Sequence, residues 1–175
     1  RRQIFVVFAA FLMVEKFEFS VGAISLLLLA NAAINVTLAP KIGRLIHKFG
    51  ERRSLIFEYV GLAFIFVGYA VVESSSFAVF LYIADHIFFS IAIALKTYFQ
   101  KIADPADIAS SAGVSFSINH IAAVFIPVIF GLIWLYSPSL VFLAGAGMAV
   151  LSLFLALNMP AKPAAGNEVL LGKFT

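Results

Sequence analysis

The chain has no cysteine, which excludes disulfides, thiolate metal sites and cysteine nucleophiles. It is equally short of charge. Only 12% of its residues are Asp, Glu, Lys or Arg, against about 25% in a soluble domain. No metal-ligand spacing and no glycine-rich phosphate loop is present. Gly113 to Ser117 misses the nucleophile-elbow pattern. What remains is 63% hydrophobic with a mean hydropathy of +1.07, the composition of an integral membrane protein. The net charge of +3 is not a nucleic-acid signal, because the basic residues sit at the ends of apolar segments. The bilayer is therefore the expected partner, and nucleic acid is not.

The apolar runs divide the chain. Ile4 to Val14 rises only about 16 Å as a helix, against a hydrocarbon core of about 30 Å. It is either an interfacial piece or a helix already under way where the chain begins. No cleavable signal peptide is evident. Gly22 to Ile42 is long enough to span, and carries Asn31 and Asn35 on one face, since residues four apart coincide. Leu55 to Val72, Phe77 to Leu95, Ala112 to Tyr136 and Ser139 to Asn158 are four further spans. Short turns are expected at Glu73–Ser76 and at Tyr136–Pro138, a polar connection over Lys96–Ser111, and a polar tail without packing signal from Pro160. Trp134 and Tyr136 stand at a segment end, where interfacial aromatics belong. The expected fold is all-α and polytopic: six transmembrane segments over 1–158, the first truncated, then a cytoplasmic tail over 159–175.

Basic residues orient the bundle. The densest basic run is Lys41 to Arg53, between two spans. A basic connection marks the cytoplasmic side. With that end inside, Lys41, Arg44, Lys48, Arg52, Arg53, Lys96, Lys101, Lys162 and Lys173 fall on the same side: nine of the twelve cations. Only Lys16 falls outside, and Arg1 and Arg2 depend on where the first helix starts.

The spacing in that run adds a second signal. Gly43, His47-Lys48, Gly50 and Arg52-Arg53 resemble the loop signature of the major facilitator superfamily, Gly-x-x-x-Asp-(Arg/Lys)-x-Gly-x-(Arg/Lys)-(Arg/Lys), with His47 in place of the acid. In that family the copy between helices 8 and 9 is often degenerate, so the resemblance points to the carboxy-terminal half of such a transporter. Arg1-Arg2-Gln3 and Ser117 to Val124 also look like a group of bacterial members. The resemblance implies a six-helix half built as two inverted three-helix repeats, here 1–72 and 77–158, with an amino-terminal six-helix half as partner. It implies secondary transport of a small solute by alternating access, coupled to protons, in a bacterial inner membrane, without enzyme activity or cofactor. Asp85 would lie on the tenth helix of the family, where other members place proton-coupling or substrate-binding residues.

Ionisable groups at membrane depth cost about 2.5–3.5 kcal/mol on insertion scales and commonly mark a transport path. Asp85 lies about 13 Å from the outer boundary by helical rise, close to the midplane, with Tyr82 on its face. It is either a protonatable pathway residue or part of a structural pair. His86 lies about 100° around the same helix, so the two form no simple dyad. His120, with Ser117 on its face, is a candidate relay residue or a satisfied packing residue. Asn31, Asn35 and Asn119 bind substrate or tie helices together. Glu58 is expected in an interfacial ion pair near Arg52 and Arg53. Arg1 and Arg2 are cavity cations for an anionic group if the first helix extends upstream, and flanking anchors otherwise. Two other classes stay open: a membrane-embedded enzyme, such as an acyltransferase using Asn119-His120, and a non-transporting membrane partner or sensor.

The absence of native cysteine makes the topology directly testable. With single cysteines introduced, Ser75→Cys is expected to react with an impermeant thiol reagent in intact cells and Lys48→Cys only after lysis. The reverse pattern would refute the assigned orientation.

Overall fold

Burying a backbone in hydrocarbon requires each N–H and C=O to be bonded within its own segment, and the chain meets this demand with helices. The computed structural model describes residues 4–171. A π-helical turn, Phe5–Ala9, runs into α1 (Ala10–Phe17). Then follow α2 (Val21–Phe49), α3 (Glu51–Val71) and α4 (Ser75–Phe89). A 3-10 turn, Ser90–Ala92, joins α4 to α5 (Ile93–Ile102). A second 3-10 turn, Pro105–Asp107, leads into α6 (Ile108–Tyr136), and α7 (Pro138–Leu157) follows. Five helical stretches are long and apolar enough to cross a membrane. This is a helical integral membrane protein.

Its helix ends carry recognisable caps. The Ser20 hydroxyl accepts from the Ala23 N–H at the start of α2. The Asp104 carboxylate accepts from the Ala106 N–H, with Pro105 in the first helical position, where a missing N–H costs nothing. Pro40 and Pro127 lie inside α2 and α6, which continue through them.

Three boundaries differ from those read in the sequence. Gly43–Arg53 is not a loop: α2 runs on to Phe49 and α3 starts at Glu51, so the connection is Gly50 alone. Its φ of +81° is open to glycine and disfavoured for residues with a Cβ. Polarity marked this stretch as the membrane edge, and a helix leaving the bilayer stays helical in water. For the same reason the expected connection over Lys96–Ser111 is helical at both ends, with its break near Ala103–Asp104. The tail also packs. Met159 is buried, the Leu170 N–H donates to the Asn158 carbonyl at 2.8 Å, and the Tyr98 hydroxyl donates to the Glu168 carbonyl.

One face of the first segment packs into the bundle, while Val6, Phe11 and Val14 on the other are exposed. Ile4, Phe5, Phe8, Ala9, Leu12 and Met13 are all buried in the main core. Phe8 stacks on Trp134 of α6 at 5.4 Å between centroids, and the indole N–H donates to Glu15 at 2.7 Å. Near the same end Lys16 binds the Val72 carbonyl at 2.6 Å and Glu73 at 3.1 Å.

The core centres on α3, which lies along α7 and also meets α2, α4 and α5. Gly145 of α7 lets the helices close: a Cβ there would meet the Phe66 ring at 2.9 Å. Phe142, one turn earlier, stacks on Tyr69 at 5.0 Å. By contrast α2 and α6 are peripheral. Only 6% and 11% of their most apolar windows are buried within the chain, so lipid or protein must cover the rest.

Gly145→Leu is expected to force α3 and α7 apart at a cost of about 1–3 kcal/mol. Gly147→Leu, where a Cβ meets nothing within 4 Å, should stay within about 0.5 kcal/mol. Thermal unfolding in detergent measures both, and equal losses would contradict the packing described.

Candidate functional site

The polar residues of the apolar helices gather in two places. The first lies where α2 crosses α4. Asn31 and Asn35 are four apart on α2, and His86 and Ser90 are four apart at the end of α4. They pair in order. The Asn31 amide is 3.0 Å from His86 Nδ1, and the Ser90 hydroxyl donates to the Asn35 side-chain carbonyl. The predicted shared face of the two asparagines thus becomes two rungs between helices. Ser90 was not singled out in the sequence; its spacing from His86, equal to that of the asparagines, is the signal that would have found it.

His86 Nδ1 is also 3.0 Å from the carbonyl of Tyr82. One nitrogen cannot serve both neighbours at once. Unprotonated, Nδ1 accepts from the Asn31 amide; carrying a proton, it donates to the Tyr82 carbonyl. The Phe5 ring packs edge-on against the imidazole at 4.8 Å. A cavity of about 180 Å³ lies beside these groups, lined by Phe5, Val6, Asn35, His86, Phe89 and Ser90.

Asp85 is fully buried, about 15 Å into its helix by rise. The phenols of Tyr69 on α3 and Tyr82 on α4 lie within electrostatic reach of its carboxyl group. Asp85 therefore faces the α3 side while His86 faces α2 and the cavity, as the 100° step between neighbours requires. Burial is what the sequence leads one to expect of it; contact with the cavity belongs to His86.

The second gathering lies between α5 and α6. Here a wider, open cavity of about 650 Å³ has Asn119 and Lys96 in its lining. His120 is exposed, its Nδ1 2.9 Å from the carbonyl of Phe116 on its own helix. The structure brings His120 next to neither Asp85 nor His86. Arg1 and Arg2 lie outside the described residues.

The basic end joins several helices. Glu58, expected at the interface, is fully buried. An ion pair at this end joins Glu51 to Lys101 of α5 at 2.5 Å, a pairing that nothing in the sequence pointed to. Arg52 donates to the Leu157 carbonyl at 2.9 Å, meeting an open C-terminal carbonyl of α7. Of the motif positions, Gly43 and His47 lie within α2, Lys48 is in its last turn, and Gly50 forms the break.

No family model, curated protein or solved structure matches this chain.

The α2–α4 rungs yield a double-mutant prediction. Asn31→Leu is expected to lower unfolding stability in detergent by about 0.6–1.7 kcal/mol. Combined with His86→Phe, the total loss should fall short of the sum of the two single losses. Strict additivity would show that the two side chains do not interact.

Proposed function

We propose that the chain is the carboxy-terminal six-helix half of a major facilitator superfamily transporter. It works as a proton-coupled secondary carrier of a small solute in a bacterial inner membrane. Gly43–Arg53 and the tail face the cytoplasm. The observation that carries the transport reading is the pairing of Asn31 and Asn35 with His86 and Ser90 beside a cavity, with Asp85 buried one step around the same helix toward Tyr69. Polar and ionisable groups are costly within a membrane span, and their gathering beside a cavity rather than toward lipid is what a solute or proton path needs.

The helix contacts support the repeat arrangement. Taking α1–α3 as one repeat and α4–α7 as the other, with α4 and α5 as one span, the third helices, α3 and α7, make the most extensive contact. The second helix of each repeat then meets the first helix of the other. Asn31 and Asn35 of α2 bond to His86 and Ser90, and Trp134 of α6 packs on Phe8, just before α1, and bonds to Glu15 of α1. This exchange of partners is what a two-fold relation between repeats produces. The exposed apolar faces of α2 and α6 leave room for a second half. The degenerate glycine-and-basic motif supports the family assignment, since its Gly50 is the residue that turns the chain between α2 and α3.

The acyltransferase reading finds no comparable support. The His120 Nδ1 is turned to the Phe116 carbonyl of its own helix.

Transport by the intact protein is tested at Asp85. Asp85→Asn keeps the shape of the side chain while removing its titration. Accumulation of solute driven by a proton gradient is expected to be lost, while exchange of solute across the membrane persists. Normal accumulation by the variant across a range of pH would remove Asp85 from the coupling path.

A further inference from the structure

The groove between α5 and α6 has features that the packing of the bundle does not require. Lys96 and Gln100 stand four apart on α5 and line one wall. Ser111, Ser115 and Asn119 stand four apart along α6 and line the other. Residues four apart share a helix face, so two polar stripes look at each other across the groove. Asn119 lies about 16 Å inside its helix by rise, so the second stripe reaches well into the membrane-spanning length. Ser115 and Asn119, within the apolar span, need partners, while Lys96, Gln100 and Ser111 lie at its polar end. Among the described residues, none of these five side chains has a hydrogen bond or ion pair within the chain.

The rest of the lining says what kind of partner fits. Leu95, Phe99 and Phe116 supply apolar and aromatic surface. Lys96 is the only charged residue in the lining, and no carboxylate joins it. The volume, about 650 Å³, is within the range of small-ligand sites, roughly 300–1,000 Å³. A lipid acyl chain would satisfy only the aromatic surface and leave the serines and the asparagine without partners. A small anion that is polar along part of its length meets both.

We propose that the α5–α6 groove binds a small organic anion, its carboxylate on Lys96, its ring or apolar body against Phe99 and Phe116, and its hydrogen-bonding groups on the serine–asparagine stripe. Ala92 lines the groove, two residues from Ser90, which lines the smaller cavity. Binding here is independent of whether the chain carries solute across the membrane.

The test uses 4-hydroxyphenylacetate, which has one carboxylate, one ring and one hydroxyl, with the neutral 4-hydroxyphenylacetamide as its matched control. Ser115→Cys is made in the intact protein in detergent, where it is the only cysteine of this chain, and its rate of labelling by a maleimide is followed. The carboxylate is expected to slow labelling in a saturable way and the amide to do so about tenfold more weakly. Lys96→Gln should reduce carboxylate protection about tenfold, Lys96→Arg should largely retain it, and Lys41→Gln should leave it unchanged. Retained binding in Lys96→Arg guards against a folding defect at this position. Equal protection by acid and amide, or full protection in Lys96→Gln, overturns the proposal. So does protection by phosphatidylglycerol vesicles without protection by the carboxylate, which would make the occupant a lipid headgroup. A Ser115→Cys that fails to react with no ligand added also overturns it, because protein then covers the stripe.

Discussion

Close approach of α3 and α7 is the interaction on which the rest of the bundle depends. In a bilayer the hydrophobic effect does not draw helices together, since lipid tails are as apolar as leucine, and association relies on packing. Gly145 admits the Phe66 ring to the α7 backbone, and Phe142 and Tyr69 stack one turn away. With that pair closed, α3 presents its other faces to α2, α4 and α5. Asp85 is then enclosed against Tyr69, and its burial follows from the helix pair rather than from its own segment.

Around this pair the two flanks use different chemistry. The α2–α4 crossing is polar, with two hydrogen-bonded rungs near mid-depth. The α6 flank is aromatic, with the single tryptophan of the chain stacked on Phe8 and anchored through its N–H to Glu15. Membrane hydrogen bonds between helices are individually modest, about 0.6–2 kcal/mol. Two in register specify rotation of one helix about another more strongly than they stabilise it. At the basic end, Glu51–Lys101 and Arg52 with the Leu157 carbonyl join α3 to α5 and α7, so the ends of the same three elements are tied through charge.

Much of the fold is legible in the apolar runs because hydrocarbon thickness sets segment length. Every span after the first is recovered, with its ends displaced toward water wherever a helix continues past the membrane edge. Lys41 to Phe49 and Lys96 to Ile102 are the clearest cases: hydropathy reports where the bilayer stops, not where the helix does. The candidate site is legible in part. Helical spacing puts Asn31 and Asn35 on one face and separates Asp85 from His86, and both hold. The partners do not follow from spacing within one helix. Glu51 and Lys101 are far apart in sequence and ordinary in context, and the spacing of Ser90 from His86 gains meaning only once α4 is known to cross α2.

By itself, then, the sequence determined membrane insertion, the rough extent of five of the six expected spans and the basic character of one end. These depend on hydropathy, length and charge, which are summed along one segment at a time. Only the tertiary structure decided that one face of the short first segment packs into the core and that the asparagines bond to His86 and Ser90. It also decided that Asp85 turns toward Tyr69 while His86 meets the cavity, and that polar stripes of α5 and α6 face one another. Each of these depends on the rotation and crossing of two helices. That is set by which small residues admit which rings, a relation between distant parts of the chain that no single segment carries.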